Sequence, residues 1–304
     1  MGIFSALGKL FGAKKAQPAV LSDQKFEEYA STFDVIALNS IHISKTAARA
    51  PMAVGCSKIG GMPDLPENIR WPYFTGTDFD GLTASRPLAF LAQFNLSELA
   101  PYDGDCRLPK SGMLYFFYEA HTMLWGFDPK DSGNAKVFYA PEGANLSRRN
   151  FPDDLEQQCK LPELALSYSP VRELPDIAEQ RFGLVDFDEY EQACRRYGCT
   201  MNESSSTKLL GYADLIQGDI TYECEAVSRG INCGGASDML TQSERDDIQA
   251  HASDWVLLAQ FDGIYDGYGY ELEWGDDGCI YFYIKKEDLR RRDFSKCWCV
   301  LQCM

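Results

Sequence analysis

Two hydrophobic periods alternate along this chain. In Met1 to Lys15 the apolar residues Ile3, Phe4, Leu7, Leu10 and Phe11 recur at helical spacing, with Lys9, Lys14 and Lys15 on the polar side, and this predicts an amphipathic helix. Ser22, followed by Asp23, Phe26, Glu27, Glu28 and Tyr29, supplies an N-cap and an acidic first turn for a second helix. Val35 to Ser44 reads as extended. Gly and Pro then crowd residues 55–80, a composition that excludes a helix interior and predicts an ordered irregular loop. The apolar runs Pro87 to Phe94 and Met113 to Tyr118 are far shorter than the ~20 residues of a membrane-spanning helix.

The later runs repeat the earlier ones. Leu91-Ala-Gln-Phe94 recurs as Leu258-Ala-Gln-Phe261, and Gly112-Met-Leu-Tyr-Phe-Phe117 as Gly278-Cys-Ile-Tyr-Phe-Tyr283. The interval from Phe94 to Gly112 is 18 residues and that from Phe261 to Gly278 is 17, so two matched segments keep almost the same separation. A weaker match, Gly61-Met-Pro-Asp-Leu65 with Gly211-Tyr-Ala-Asp-Leu215, precedes each pair. The expectation is an α+β fold in which two tandem copies of a β-rich unit form a pseudo-twofold sheet system with peripheral helices. Its parts are the amphipathic helix at 1–20, a first unit at 21–140, a connecting segment with helices at 141–206, and a second unit at 207–304. Within the connector, Asp186 to Tyr197 has the spacing of a helix, and Asn202 to Thr207 looks like a flexible link. Gln93 and Gln260, each amid apolar neighbours, are expected to satisfy their amides internally, with loop backbone as partner.

Charge narrows the partners. With 45 acidic against 29 basic side chains the net charge is −16, which repels phosphate backbones and argues against nucleic acid. Eleven cysteines in irregular spacing, without a C-x-x-C pair, fit reduced thiols in a cytoplasmic protein better than a disulfide framework or zinc site. Cys297, Cys299, Leu301 and Cys303 fall on one face of a terminal strand, the pattern of a core face. The helix at 1–15 is expected to pack on the protein itself or a second copy, with a membrane surface as the other reading.

Several short motifs in register then carry a family resemblance. Gly60-Gly61-x-Pro63 with Leu65-Pro66 and Trp71-Pro72, Leu91-Ala-Gln-Phe94, Leu108-Pro109 with Gly112, Leu210-Gly-Tyr212 through Gln217, Glu223-Cys224, and Trp274-Gly-Asp276 with Gly278 resemble the YwqG family over roughly residues 55 to 304. That resemblance implies an α+β domain of bacterial proteins, without an established activity, cofactor or catalytic residue to carry over.

Common enzyme motifs are absent. The three histidines, His42, His121 and His251, lie in no H-E-x-x-H or H-x-H context, and neither a G-x-S-x-G elbow nor a Walker A loop occurs. No cofactor is expected. The one cation alternative is calcium: Asp262, Asp266, Gly267 and Glu273 fall at positions one, five, six and twelve of an EF-hand-like loop, although Ile264 occupies the third ligand position and the flanks read as strands. The preferred function is a non-enzymatic binding module for a protein or small molecule, of the immunity type if the partner is basic. Its site would lie where the Gly-rich loops meet the Trp274 turn. Trp71 and Trp274 would give apolar contact there, and Asp64, Gln93, Asp214, Gln217, Gln260 and Asp276 polar groups. The rival is a hydrolase or transferase with paired carboxylates between the units, Asp276 near Asp214 or Glu223.

Overall fold

The computed structural model describes residues 21–78, 80–175, 187–199, 206–234 and 240–304; the amphipathic helix expected at 1–20 and most of the 202–207 link lie outside them. Ser22 caps the first helix as expected, its Oγ accepting from Lys25 N–H at 3.3 Å, but α1 (Asp23–Ile36) runs two residues into the stretch read as extended. Phe33 explains this: it is buried against Tyr190 and Tyr197, and that packing carries the last helical turn past Val35.

The chain then lays down β1 (Leu38–Ala47), β2 (Lys58–Ile59), β3 (Asp64–Pro66), β4 (Tyr73–Thr77), β5 (Thr83–Pro87), β6 (Ala89–Asn95), the short α2 (Leu96–Leu99), β7 (Met113–Tyr118), β8 (Ala135–Ala140) and β9 (Leu146–Arg148). The Gly- and Pro-rich segment is thus not wholly irregular: it contains β2, β3 and the hairpin strand β4. Pro63 and Pro72 stand just before β3 and β4, and Pro66 ends β3, so prolines bound short strands here where the composition predicts one irregular loop.

From the connecting segment come β10 (Leu164–Glu173) and α3 (Phe187–Tyr197). β10 is a ten-residue strand despite Pro170. Its only ladder pair with β2 is Leu164 with Ile59, so further along one edge of β10 is open and a missing N–H is tolerated there. The remainder supplies β11 (Lys208–Leu210), α4 (Ile220–Ser228), α5 (Gln242–Ala252), β12 (Trp255–Phe261), β13 (Ile264–Tyr265), β14 (Glu271–Leu272), β15 (Cys279–Lys285), α6 (Lys286–Arg291) and β16 (Trp298–Gln302). Thr207, read as part of a flexible link, is buried, and its carbonyl accepts from Ile43 N–H at 3.0 Å.

The fold is mixed α and β, with six α-helices among the described residues around one large antiparallel sheet. Its ten strands run β16-β15-β12-β11-β1-β10-β2-β6-β7-β8, so the long β1–β10 pair forms the middle and four strands extend to each side. The two arms bend toward each other. Phe94 stacks on Phe261 with ring centres 6.4 Å apart, and Phe116 meets Phe282 edge-on at 5.0 Å, so the Gln-bearing strands of both arms share one core. Cys299, Leu301 and Cys303 enter that core with Cys297 at its rim, all on one face as the period of two requires. Among the described residues no helix is long and apolar enough to cross a membrane.

Candidate functional site

Each arm is built around a buried lysine and carboxylate. In the first, β2 ends at Gly60 and Gly61, both at positive φ, and the chain turns back to bring Asp64 beneath β6. A Cβ on Gly61 would lie 2.7 Å from Glu163 Oε2, so glycine is required for backbone and carboxylate to approach. Gln93 Oε1 accepts from Asp64 N–H at 2.8 Å, and its Nε2 donates to Asp64 Oδ2 and to the Cys56 carbonyl, each at 2.8 Å. Tyr115 donates to the Asp64 carbonyl at 2.7 Å, Arg148 Nε to Asp64 Oδ1 at 2.8 Å, and Lys58 Nζ to Glu163 at 2.8 Å.

In the second arm Leu210 and Gly211 make the turn at positive φ, and a Cβ on Gly211 would lie 2.3 Å from Glu173 Oε2. Gln260 accepts from Asp214 N–H at 2.8 Å and donates to Asp214 Oδ2 at 2.7 Å and to the Ser206 carbonyl at 2.8 Å. Tyr281 donates to the Asp214 carbonyl at 2.5 Å. Lys208 Nζ bridges Asp214 at 2.6 Å and Glu173 at 3.0 Å, and His42 Nε2 lies 2.5 Å from Glu173. Both lysines are fully buried. Sequence reading missed Lys58, Arg148, Glu163, Lys208, Glu173 and His42. The available signal was Lys208 directly before Leu-Leu-Gly, a charge that an apolar strand keeps only with a partner.

Burial alone would raise the Asp64 and Glu173 carboxyls, but the bonds from Arg148, Gly55 N–H and Gln93 to the one, and from His42 and Lys208 to the other, outweigh it and hold both below the ordinary carboxylate range. Their contribution to stability is present above that range and is lost as pH falls.

The expected site residues therefore separate. Asp64, Gln93 and Gln260 are buried, Asp214 is nearly so, and their polar atoms are engaged by protein groups. Trp71 donates to the Leu88 carbonyl at 2.9 Å and packs on Phe117 and Phe151, while Trp274 is buried and donates to the Asp262 carbonyl at 3.0 Å. Gln217 and Asp276 remain exposed.

A cleft of about 590 Å³ opens beside the first turn. Gly61 and Met62, Phe151, Arg148 and residues 47–51 form its walls, and Asp266 and Tyr268 of the second arm complete it. The residues contributed by the second arm belong to a lobe spanning Asp262 to Asp277, which holds six carboxylates, three tyrosines and Trp274 with no lysine or arginine. Ile264 and Trp274 anchor the lobe in the core, Tyr270 donates to the Gln158 carbonyl at 3.0 Å, and Lys45 pairs with Asp262 at its base. At the tip Asp266 Oδ1 accepts from Tyr268 N–H at 2.7 Å and Tyr270 N–H at 3.0 Å, and Tyr268 stands 84% exposed on this fixed backbone.

The proposed calcium positions are thus occupied by protein partners at Asp262 and Asp266, while Glu273 accepts from Tyr265 at 3.3 Å. No group of three or more metal-ligating side chains gathers among the described residues.

Glu223 on α4 is the other unusual group. Burial and the neighbouring Asp219 carboxylate push it from 4.5 up to about 7, and its Oε2 has no hydrogen-bond partner among the described residues. Because the folded state holds this proton more tightly than the unfolded chain, Glu223 favours folding below pH 4.5, and that contribution declines as pH rises from 4.5 to 7. Glu223→Gln is expected to flatten this decline. Urea midpoints across that pH range check it, and an unchanged slope would refute the assignment.

No curated protein matches the chain. A family model does match, over residues 57–303, covering both lysine–carboxylate turns and every strand from β2 to β16, and the chain belongs to that family, described as Domain of unknown function (DUF1963).

Proposed function

We propose that this is a non-enzymatic binding protein that engages a basic polypeptide through the Asp262–Asp277 lobe and the adjoining cleft. The observation that carries this reading is the exposed Tyr268, on a hydrogen-bonded backbone turn at the tip of a lobe with six carboxylates and no lysine or arginine of its own. A rigid aromatic loses little entropy on contact and can stack against an arginine, while the carboxylates steer a cationic partner. The −16 net charge acts in the same direction, as in an immunity-type protein of the cytoplasm.

The finer placement within the YwqG type and the origin of the fold by internal duplication belong to the same proposal. Their support is the matched arms. Lys58, Asp64, Gln93 and Tyr115 are bonded much as Lys208, Asp214, Gln260 and Tyr281 are, and β6 and β12 carry register shifts at Phe90/Ala92 and Leu257/Ala259, the same place in each repeat. In this view the buried networks are frames, and function sits where the arms differ.

An arginine- and lysine-rich peptide titrated into the full chain tests the reading. Affinity is expected to fall with salt, and Tyr268→Ala to weaken it about tenfold, as at an aromatic hot spot. Binding indifferent to salt and to Tyr268→Ala would refute it. The rival, a hydrolase or transferase with paired carboxylates, draws support from the Asp219–Glu223 pair, since a carboxyl near 7 suits general acid–base work. Turnover of any ester or phosphoester abolished by Glu223→Gln would favour it.

A further inference from the structure

Against an acidic molecule, one cleft is lined by cations. It has a volume of about 490 Å³ and lies where the 105–109 loop of the first arm meets α6 of the second. Arg107, Lys286, Arg290 and Arg292 face it with Asp105 as the single carboxylate, four positive charges against one. Leu108 and Leu289, both buried, form an apolar floor.

Of these four cations only Arg290 has a carboxylate partner among the described residues. Arg290 pairs with Glu287 at 2.6 Å, and Lys286 Nζ donates to the Ser253 carbonyl at 2.7 Å. The side chains of Arg107 and Arg292 make no hydrogen bond or ion pair among the described residues. They come from segments 185 positions apart in sequence, so the basic run at the end of α6 does not by itself account for their meeting at one cleft. Arg292 also occupies a left-handed position, φ 60°, closing α6 through its N–H to the Leu289 carbonyl at 3.0 Å. Glycine is the ordinary residue at such a cap, yet a long cation stands there and lines the cleft.

We propose that this cleft binds the phosphate end of a small, multiply charged soluble anion. Guanidinium groups match phosphate oxygens in pairs, and two unpaired arginines with a lysine beside them suit a group of two or more negative charges. The −16 net charge disfavours a long polyanion, because this cationic patch is local, so a small molecule is favoured over nucleic acid.

Pyrophosphate is the probe, titrated into the full chain by calorimetry at low ionic strength, with a single-stranded oligonucleotide as the second arm. One-to-one pyrophosphate binding is expected, weakened about tenfold or more by Arg107→Ala and by Arg292→Gly. The second variant relieves the left-handed backbone while removing the charge, so it tests the site without threatening the fold. Arg70→Ala, at an exposed arginine elsewhere, should change nothing. Cys106 lines the same cleft and is exposed, so pyrophosphate should also slow its alkylation, read by peptide mass mapping. Absent binding, equal weakening by Arg70→Ala, unslowed Cys106 alkylation, or tighter binding of the oligonucleotide by the same arginines would each overturn the proposal.

Discussion

Lys208→Met is expected to destabilise the protein by about 3–5 kcal/mol, and Lys58→Met by clearly less, although the two lysines hold equivalent places in the two arms. Removing the Lys208 ammonium leaves Glu173 and Asp214 in the interior. Glu173 then retains Tyr212 N–H and His42, which brings a full charge only when protonated, and Asp214 retains among its partners the neutral Gln260 and Ser206. At the first arm Asp64 keeps the Arg148 guanidinium at 2.8 Å, and Glu163 is partly exposed and keeps Met52 N–H at 2.9 Å. Breaking a buried pair costs most where a remaining charge keeps no permanent cation among the described residues, as for Glu173, so the asymmetry follows from Arg148 at the first arm. Urea unfolding with unchanged m-values measures it. Equal losses, or a larger loss at Lys58, would contradict the frame described for the second arm.

Gly278→Ala is expected to cost about 3 kcal/mol or more and to disturb the lobe as well as the sheet. A Cβ there would stand 1.8 Å from the Trp274 carbonyl, 2.7 Å from the Gln302 carbonyl and 2.8 Å from Cys303 Cβ, so either the Trp274 turn or the end of β16 must move. Gly267→Ala is the control. Its φ is +75°, but nothing lies within 4 Å of the added methyl, so only backbone strain of about 1–2 kcal/mol is expected. Thermal unfolding gives both values. A loss at Gly278 no larger than at Gly267 would mean that the turn is not braced against β16.

These two residues also show what was legible in the sequence. The repeats of Leu-Ala-Gln-Phe and Gly-x-x-Tyr-Phe placed β6, β7, β12 and β15, because a continuous apolar run with a Gly at its head has few other structures open to it. The glutamines were read as internally bonded, and they are. Their main partner was hidden, since Asp64 and Asp214 looked like polar groups for a ligand when each closes a ring with Gln93 or Gln260. β10 was illegible for a different reason. Pro170 and its polar residues suit a strand with one open edge, and that edge is defined only by neighbours far away in sequence. α4 and α5 went unread because their signals are caps more than periodicity: Asp219 caps the first, and Thr241 with Glu244 forms a capping box on the second.

The sequence points to the meeting of the Gly-rich loops with the Trp274 turn; the cleft beside Tyr268 lies between the Gly61 turn and residues Asp266 and Tyr268. Its arginines were not named, because Arg148 and Arg49 come from segments with no counterpart in the repeat. The expected roles of Trp71 and Trp274 as ligand contacts give way to anchoring, the one beneath Phe151 and the other at the root of the lobe, while the exposed aromatic surface passes to Tyr265 and Tyr268.

Hydrogen exchange of the full chain, with and without an arginine- and lysine-rich peptide, tests the central claim most directly, because it asks where a basic partner sits. Slowed exchange confined to residues 262–277 and the facing stretches 47–51 and 61–62 is the predicted result; protection centred on α4, or none in the lobe, would contradict it.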